Sequence, residues 1–252
     1  MTRSNLDIAR EVWVAAQADI RGTRGESYFT DDRGVTLTPW PACLRFAPKL
    51  QHPCEQFFPA LIVQATDART GQALGSIQRI FLGWKMGKAQ VDKPKMALGT
   101  IKGCVARLGE PIDGQPLLIA EGVENAATGM AASGLPACAT FGTAGLKSFN
   151  PPDTVKWVIA LGENDEANAK ALAVLAPRLT GRGIRLDVVK PPPGLKDVND
   201  FVNGTSGHTP EAGLALVKAL IEAARRPLRQ PPGQAPQPSR AIRMTTRRTS
   251  SR

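Results

Sequence analysis

Three short stretches of this 252-residue chain end an apolar run on carboxylates. The first is Leu117-Leu118-Ile119-Ala120, which leads into Glu121 and Gly122. The second is Val158-Ile159-Ala160-Leu161-Gly162, followed by Glu163, Asn164, Asp165 and Glu166. The third follows the run 184–189 and reads Lys196-Asp197-Val198-Asn199-Asp200. Carboxylates gathered at one place repel one another unless a cation joins them or their pKa values rise. An all-oxygen set of this kind suits a hard dication, Mg²⁺ with Mn²⁺ as its substitute, which keeps several waters. Taken singly, each stretch has a plainer role. Glu121 would cap a helix, 163–166 would be an acidic helix start favoured by the helix dipole, and Asp197 and Asp200 would lie in a solvated loop. The recurrence of acid-tipped runs favours the shared site.

The elements around them explain how such a site would form. Four apolar residues between turn formers at 117–120 predict a strand buried on both faces. The pattern 124–133 predicts a helix capped by Gly134. Strands at 136–141, 155–161 and 184–189 alternate with helices at 165–179 and 210–224, where Pro177 should bend or end the first and Pro210 opens the second. Such alternation implies a parallel α/β sheet with right-handed crossovers. Ligands bind at the carboxyl ends of strands in such sheets, where Glu121 and Glu163 fall. Upstream, apolar spacing predicts an amphipathic helix over 6–20, and 22–34 reads as polar turn. Prolines at 39, 41, 48, 53 and 59 should break long elements. Segments 60–66 and 73–82 read as an antiparallel hairpin. Glycines and prolines cluster at 108–116, which sets the expected boundaries at 1–110, 111–226 and 227–252.

Glu121-Gly122-Val123-Glu124-Asn125-Ala126, Glu163-x-Asp165 and Lys196-Asp197-x-Asn199-Asp200 together resemble the toprim domain. This domain is shared by bacterial-type primases, topoisomerases and some nucleases, and the likeness is strongest to primase-like proteins of phages, plasmids and integrated elements. It implies a toprim (Rossmann-like) parallel sheet flanked by helices, preceded by a small α+β subdomain with an antiparallel hairpin. It also implies Mg²⁺ at Glu121, Glu163, Asp165, Asp197 and Asp200, with Glu121 as the catalytic residue and Gly122 as its turn. Two positions depart from the pattern, Glu163 where Asp is usual and Asn168 where Gly is usual.

Lys85, Lys88, Lys93 and Lys95 place four lysines within eleven residues. Composition alone reads this as a solvated loop. A basic segment ahead of a toprim domain implies nucleotide or template contacts, and the resemblance extends that role to Arg79, Lys88, Lys93, Lys95 and Lys196. The implied reaction is synthesis of short RNA primers from nucleoside triphosphates on single-stranded DNA, with a replicative helicase acting in trans as a candidate partner. The alternative is a catalytically weak nucleic-acid-binding module of a mobile element, or a toprim nuclease.

Composition narrows the class. There is no phosphate-loop motif for a fused ATPase. Tyr28 is the single tyrosine, so a topoisomerase nucleophile has little support. No eighteen-residue apolar window suggests a membrane span. Four scattered cysteines without a Cys-x-x-Cys pair fit a reducing cytoplasm; His52, Cys54 and Cys43 match no zinc template well. Of the net charge of +10, +8 lies in residues 218–252. The segment 227–252 is rich in Pro, Gln and Arg and is expected to be a disordered tether making loose phosphate contacts.

Overall fold

The computed structural model describes residues 3–226; the basic segment 227–252 lies outside the described residues. Among the described residues, one nine-stranded sheet runs from the N-terminal part into the C-terminal part. Its first part is antiparallel: β1 (Leu44–Gln51), β2 (Phe57–Asp67), β3 (Ala73–Phe81), β4 (Lys95–Leu98) and β5 (Cys104–Arg107). Its second part is parallel: β6 (Leu117–Ala120), β7 (Ala137–Ala139), β8 (Trp157–Leu161) and β9 (Arg185–Val189). The strand order is β4-β3-β2-β5-β7-β6-β8-β9, with β1 also paired to β2, along residues 57–63 where β5 pairs with 66 and 67. The antiparallel pair β5–β7 joins the halves, Ala106 opposite Ala139.

Alternation within each strand builds the layers. In β6, Leu118 and Ala120 face one core, together with Val123 and Ala127 of α3 (Val123–Ser133) and Val217 and Ile221 of α6 (Pro210–Arg225). Leu117 and Ile119 face the other, with Leu172 and Leu175 of α5 (Glu166–Thr180) and Leu146 of α4 (Thr143–Ser148). In β2, Ala60 and Ile62 face a third core, with Ala9 of α1 (Asn5–Ala15). Leu61 and Val63 point to the first core, beside Tyr28 and Phe29 of α2 (Arg24–Thr30).

Several elements differ from expectation. The first helix stops at Ala15, because Gln17 leaves it to exchange two backbone hydrogen bonds with Phe46. The turn-rich segment 22–34 holds α2, whose cap Thr23 accepts from the amides of Gly25 and Glu26. The proline-rich stretch forms β1, which tolerates Pro48 because its register with β2 is broken between Ala47 and Leu50. Helix α5 runs through Pro177 to Thr180. A proline in a last turn forfeits one hydrogen bond only, so the helix continues.

Candidate active site

Adjacent parallel strands β6 and β8 deliver the central acids. Glu121 follows Ala120 directly, and Glu163 stands two residues after Leu161. Asn168 of α5 donates from Nδ2 to Glu121 Oε1 at 2.7 Å, so the residue where the family usually has Gly orients the catalytic candidate. Asn125 of α3 donates to Glu163 Oε1 at 3.3 Å, and Lys196 Nζ stands 3.4 Å from Glu163 Oε2. Burial raises the Glu163 pKa; Lys196 opposes this, while Glu121 and Asp197 reinforce it. Burial also raises Asp197, with Asp200 adding to it.

The other acids fold the loops that carry the site. Asp165 caps α5, accepting from Asn168 N at 2.7 Å. Asp197 and Asp200 form a reciprocal capping box around the 3₁₀ turn Val198–Phe201. Asp200 Oδ2 accepts from the Lys196 amide at 2.6 Å, and Asp197 Oδ1 from the Asn199 amide at 2.9 Å. Asn164 ties its own loop down by donating to the carbonyls of Pro191, Pro192 and Leu195.

A cavity of about 250 Å³ opens beside these residues; Glu163, Asp197 and Asp200 line it together with Arg33, Lys88, Lys95 and Glu124, whereas Glu121 and Asp165 do not line it. Glu124, in the first turn of α3, is 7 % exposed. Lys88 Nζ lies 3.2 Å from its Oε1 and Lys95 Nζ 3.1 Å from its Oε2. The Tyr28 hydroxyl donates to Oε1 at 2.8 Å. Burial works against the Glu124 charge, yet Lys95 and Lys88 hold the carboxyl well below its usual range. Gly122 has an extended φ of −106° as the N-cap of α3. What it supplies is space: a Cβ there would stand 2.9 Å from Glu124 Oε2.

Of the basic residues named from sequence, Lys88, Lys95 and Lys196 line the cavity. Arg79 is paired with Met96 and alternates with Ile77 and Phe81 onto the α1 side of β3, whereas Ile80, opposite Lys95, faces the first core. Lys93 turns its carbonyl to His52 Nε2 at 3.1 Å and does not line the cavity. Cys43 is buried in the first core, whereas His52 meets exposed Cys54 at 3.0 Å, so these three do not assemble. Glu124, Arg33 and Tyr28 were missed as a group. A signal existed: Glu124 is an acid on the same helix face as Ala127 and Thr128, which are buried.

The donor chemistry suits a hard dication. Glu121, Glu163 and Asp165 offer oxygen only, and Asn168 Oδ1 is buried without a hydrogen-bond partner. Among the described residues no group of three or more His, Cys, Asp or Glu stands ready to hold an ion. Also among the described residues, no helix is long and apolar enough to cross a membrane.

Residues 116–207 match the family model described as "Toprim domain", and residues 3–108 match "Domain of unknown function (DUF7146)". No protein of curated function matches the chain in sequence. Among solved structures, the Aquifex aeolicus primase (zinc-binding and RNA polymerase domains) superposes with a TM-score of 0.53 at 15 % identity, over 87 % of this chain and 60 % of that one. The primase fragment of the bacteriophage T7 primase-helicase protein gives 0.47 at 18 % identity, over 73 % of this chain and 66 % of the other. This chain therefore spans less than two thirds of either structure, and the likeness is one of fold. With its acid-tipped parallel strands and this match, the chain carries a toprim domain over residues 116–207, in a fold similar to that of a bacterial primase.

Proposed function

We propose that the protein is a primase-like nucleotidyltransferase that joins nucleoside triphosphates on a single-stranded DNA template. The observation that carries this reading is the mixed lining of the cavity, in which Glu163, Asp197 and Asp200 share one space with Arg33, Lys88 and Lys95, while Asn168 holds Glu121 at the end of the strand next to that of Glu163. Phosphate-rich substrates need both, a cationic wall for their charge and acids near the reacting atoms. In the proposed step a ribose hydroxyl oxygen bonds to the α-phosphorus, the bond to the leaving pyrophosphate breaks, and the hydroxyl proton passes to Glu121. Asn168 holds Glu121 by one oxygen, leaving the other to accept. Lys88, Lys95 and Arg33 hold the triphosphate, and Lys196 seats the acceptor side. Toprim domains and primases generally bind divalent metal ions. Mg²⁺ held by Glu121 and Glu163, with Asp165 beside them, would supply charge neutralisation at the phosphates.

The test is primer synthesis from labelled triphosphates on single-stranded DNA with Mg²⁺ or Mn²⁺. Wild type should make short RNA, and Glu121→Gln should make it about 10² to 10⁴ times more slowly, the range of a lost general base. No product with either metal, beside an active control primase, refutes the reading. A second reading, a nucleic-acid-binding module with weak catalysis, is favoured by one observation. Lys196 and Asn168 already occupy Glu163 and Glu121. It predicts template binding without product.

A further inference from the structure

Lys88 and Lys95 both pair with one carboxylate of the cavity, Glu124, and Arg33 lines the same cavity, bonded to the Tyr28 hydroxyl that donates to Glu124. Lys88 and Lys95 come from the segment around β4, and Arg33 from the loop after α2. Neither lysine is fully used. Each ammonium carries three donors, the lysine side chains are 29 % and 30 % exposed, and each spends a contact on Glu124. Arg33 donates from Nη2 to the Tyr28 hydroxyl at 3.1 Å, and its buried Nε has no partner. Glu163, Asp197 and Asp200 line the same cavity and offset the positive charge overall, so what these cations offer an incoming anion is their unused N–H donors.

Glu124 itself is the best-fixed member of the group. It is anchored in α3, accepts from Tyr28, and lies behind Gly122, whose missing side chain leaves it room. Two roles are open to such a carboxylate. It can compete with an incoming anion for the lysines, or it can hold each ammonium by one contact so that its remaining N–H groups are free for the cavity. Burial of Glu124, with the lysines half-exposed on its cavity side, favours the second. We propose that Glu124 is a positioning residue that, with Tyr28, presets Lys88, Lys95 and Arg33 as the phosphate-binding wall. The proposal rests on the nucleotidyltransferase reading for its substrate class, a nucleoside triphosphate, and its test does not need that reaction.

Inorganic tripolyphosphate is titrated by calorimetry into the full-length protein without divalent metal. Wild type should bind. Glu124→Gln should bind at least tenfold more weakly although it adds positive charge to the wall, and Lys88→Met should cost affinity in wild type but little more in the Glu124→Gln background. A competing carboxylate predicts the opposite sign, so tighter or unchanged binding by Glu124→Gln overturns the proposal, as does a wild type that does not bind. If Glu124→Gln fails to fold, Tyr28→Phe decides. It keeps every charge and removes one hydrogen bond, and it should weaken binding several-fold; unchanged affinity overturns the proposal. A protein that binds tripolyphosphate by this pattern yet makes no primer sinks the catalytic reading and leaves the positioning role standing.

Discussion

A Gly34→Ala protein should melt about 10 °C lower than wild type, one of the largest stability losses available to a one-carbon change. Gly34 has φ +66°, in the left-handed region, and an added Cβ would lie 2.1 Å from the Val202 carbonyl oxygen and 3.3 Å from Pro210 Cγ. Val202 closes the 3₁₀ turn that carries Asp197, and Pro210 opens α6. The glycine is therefore where the backbone of the N-terminal part rests on the backbone of the toprim domain. Left-handed strain costs about 1–2 kcal/mol and overpacking about 1–3 kcal/mol. At roughly 2–4 °C per kcal/mol for a chain of this size, the sum gives the stated drop. Gly22 provides the control, since it has φ +70° with nothing within 4 Å of its Cβ. Gly22→Ala should pay the strain alone, a little under half of the effect. Equal melting of the two variants, measured by thermal denaturation, would show that the close approach at Val202 is unimportant. The same contact bears on the site. Neighbouring Arg33 lines the cavity and its carbonyl accepts from Asn199 Nδ2 at 2.9 Å.

What could be read from the sequence follows from how locally it is written. Strand β6, Glu121 and helix α3 are encoded within about twenty consecutive residues: a two-face apolar run, an acid, and a helix closed by Gly134. The same holds for Glu163 and for Asp197. Helix α2 was also written locally, in Thr23-x-x-Glu26, a helix-start signature that the surrounding polar residues obscured. Arg79 was decidable too, because a strand period of two sends it with Ile77 and Phe81 away from the face of Ile80. The Glu124 cluster was not written locally. Tyr28 and Lys95 lie 96 and 29 positions from it, and their meeting depends on β4 and α2 docking on the toprim sheet. Local patterns cannot encode that. Likewise, the continuous sheet depends on β5 pairing with β7 across the glycine- and proline-rich segment 108–116, which reads as a break. Asn168 stands where the family usually has Gly, and only the fold shows that its amide reaches Glu121.

Glu163→Gln should cut primer synthesis by about 10² to 10³-fold, the usual loss when one preorganised electrostatic group is removed, while making the free protein more stable at neutral pH. The two effects share one cause. Burial pushes the Glu163 carboxyl above its ordinary value of 4.5, with Glu121 and Asp197 adding their repulsion and Lys196 only partly opposing them. For a group whose pKa is raised by folding, the folded state binds the proton more tightly than the unfolded state. The favourable contribution is then complete below the unfolded value and is lost as pH rises through the folded one. At neutral pH the protein holds a carboxylate that its own burial disfavours, which is the condition of a site awaiting a cation. Glutamine keeps the shape, still accepts from Asn125 through its amide oxygen, and removes the repulsion. It also removes the partner of Lys196, which costs little because that side chain is 66 % exposed. Thermal melts of wild type and Glu163→Gln without divalent metal should therefore diverge in favour of the variant at pH 7 and converge near pH 4. Glu124 supplies the contrasting sign. Its carboxyl is held well below the ordinary range by Lys95 and Lys88 against the opposing effect of burial, so its contribution is present above that range and is lost as pH falls through the folded value. Glu124→Gln should accordingly lower the melting temperature at pH 7. If Glu163→Gln instead melts lower than wild type at pH 7, the Lys196–Glu163 pair is a stabilising bridge, and the acids at the ends of β6 and β8 are held together for structure.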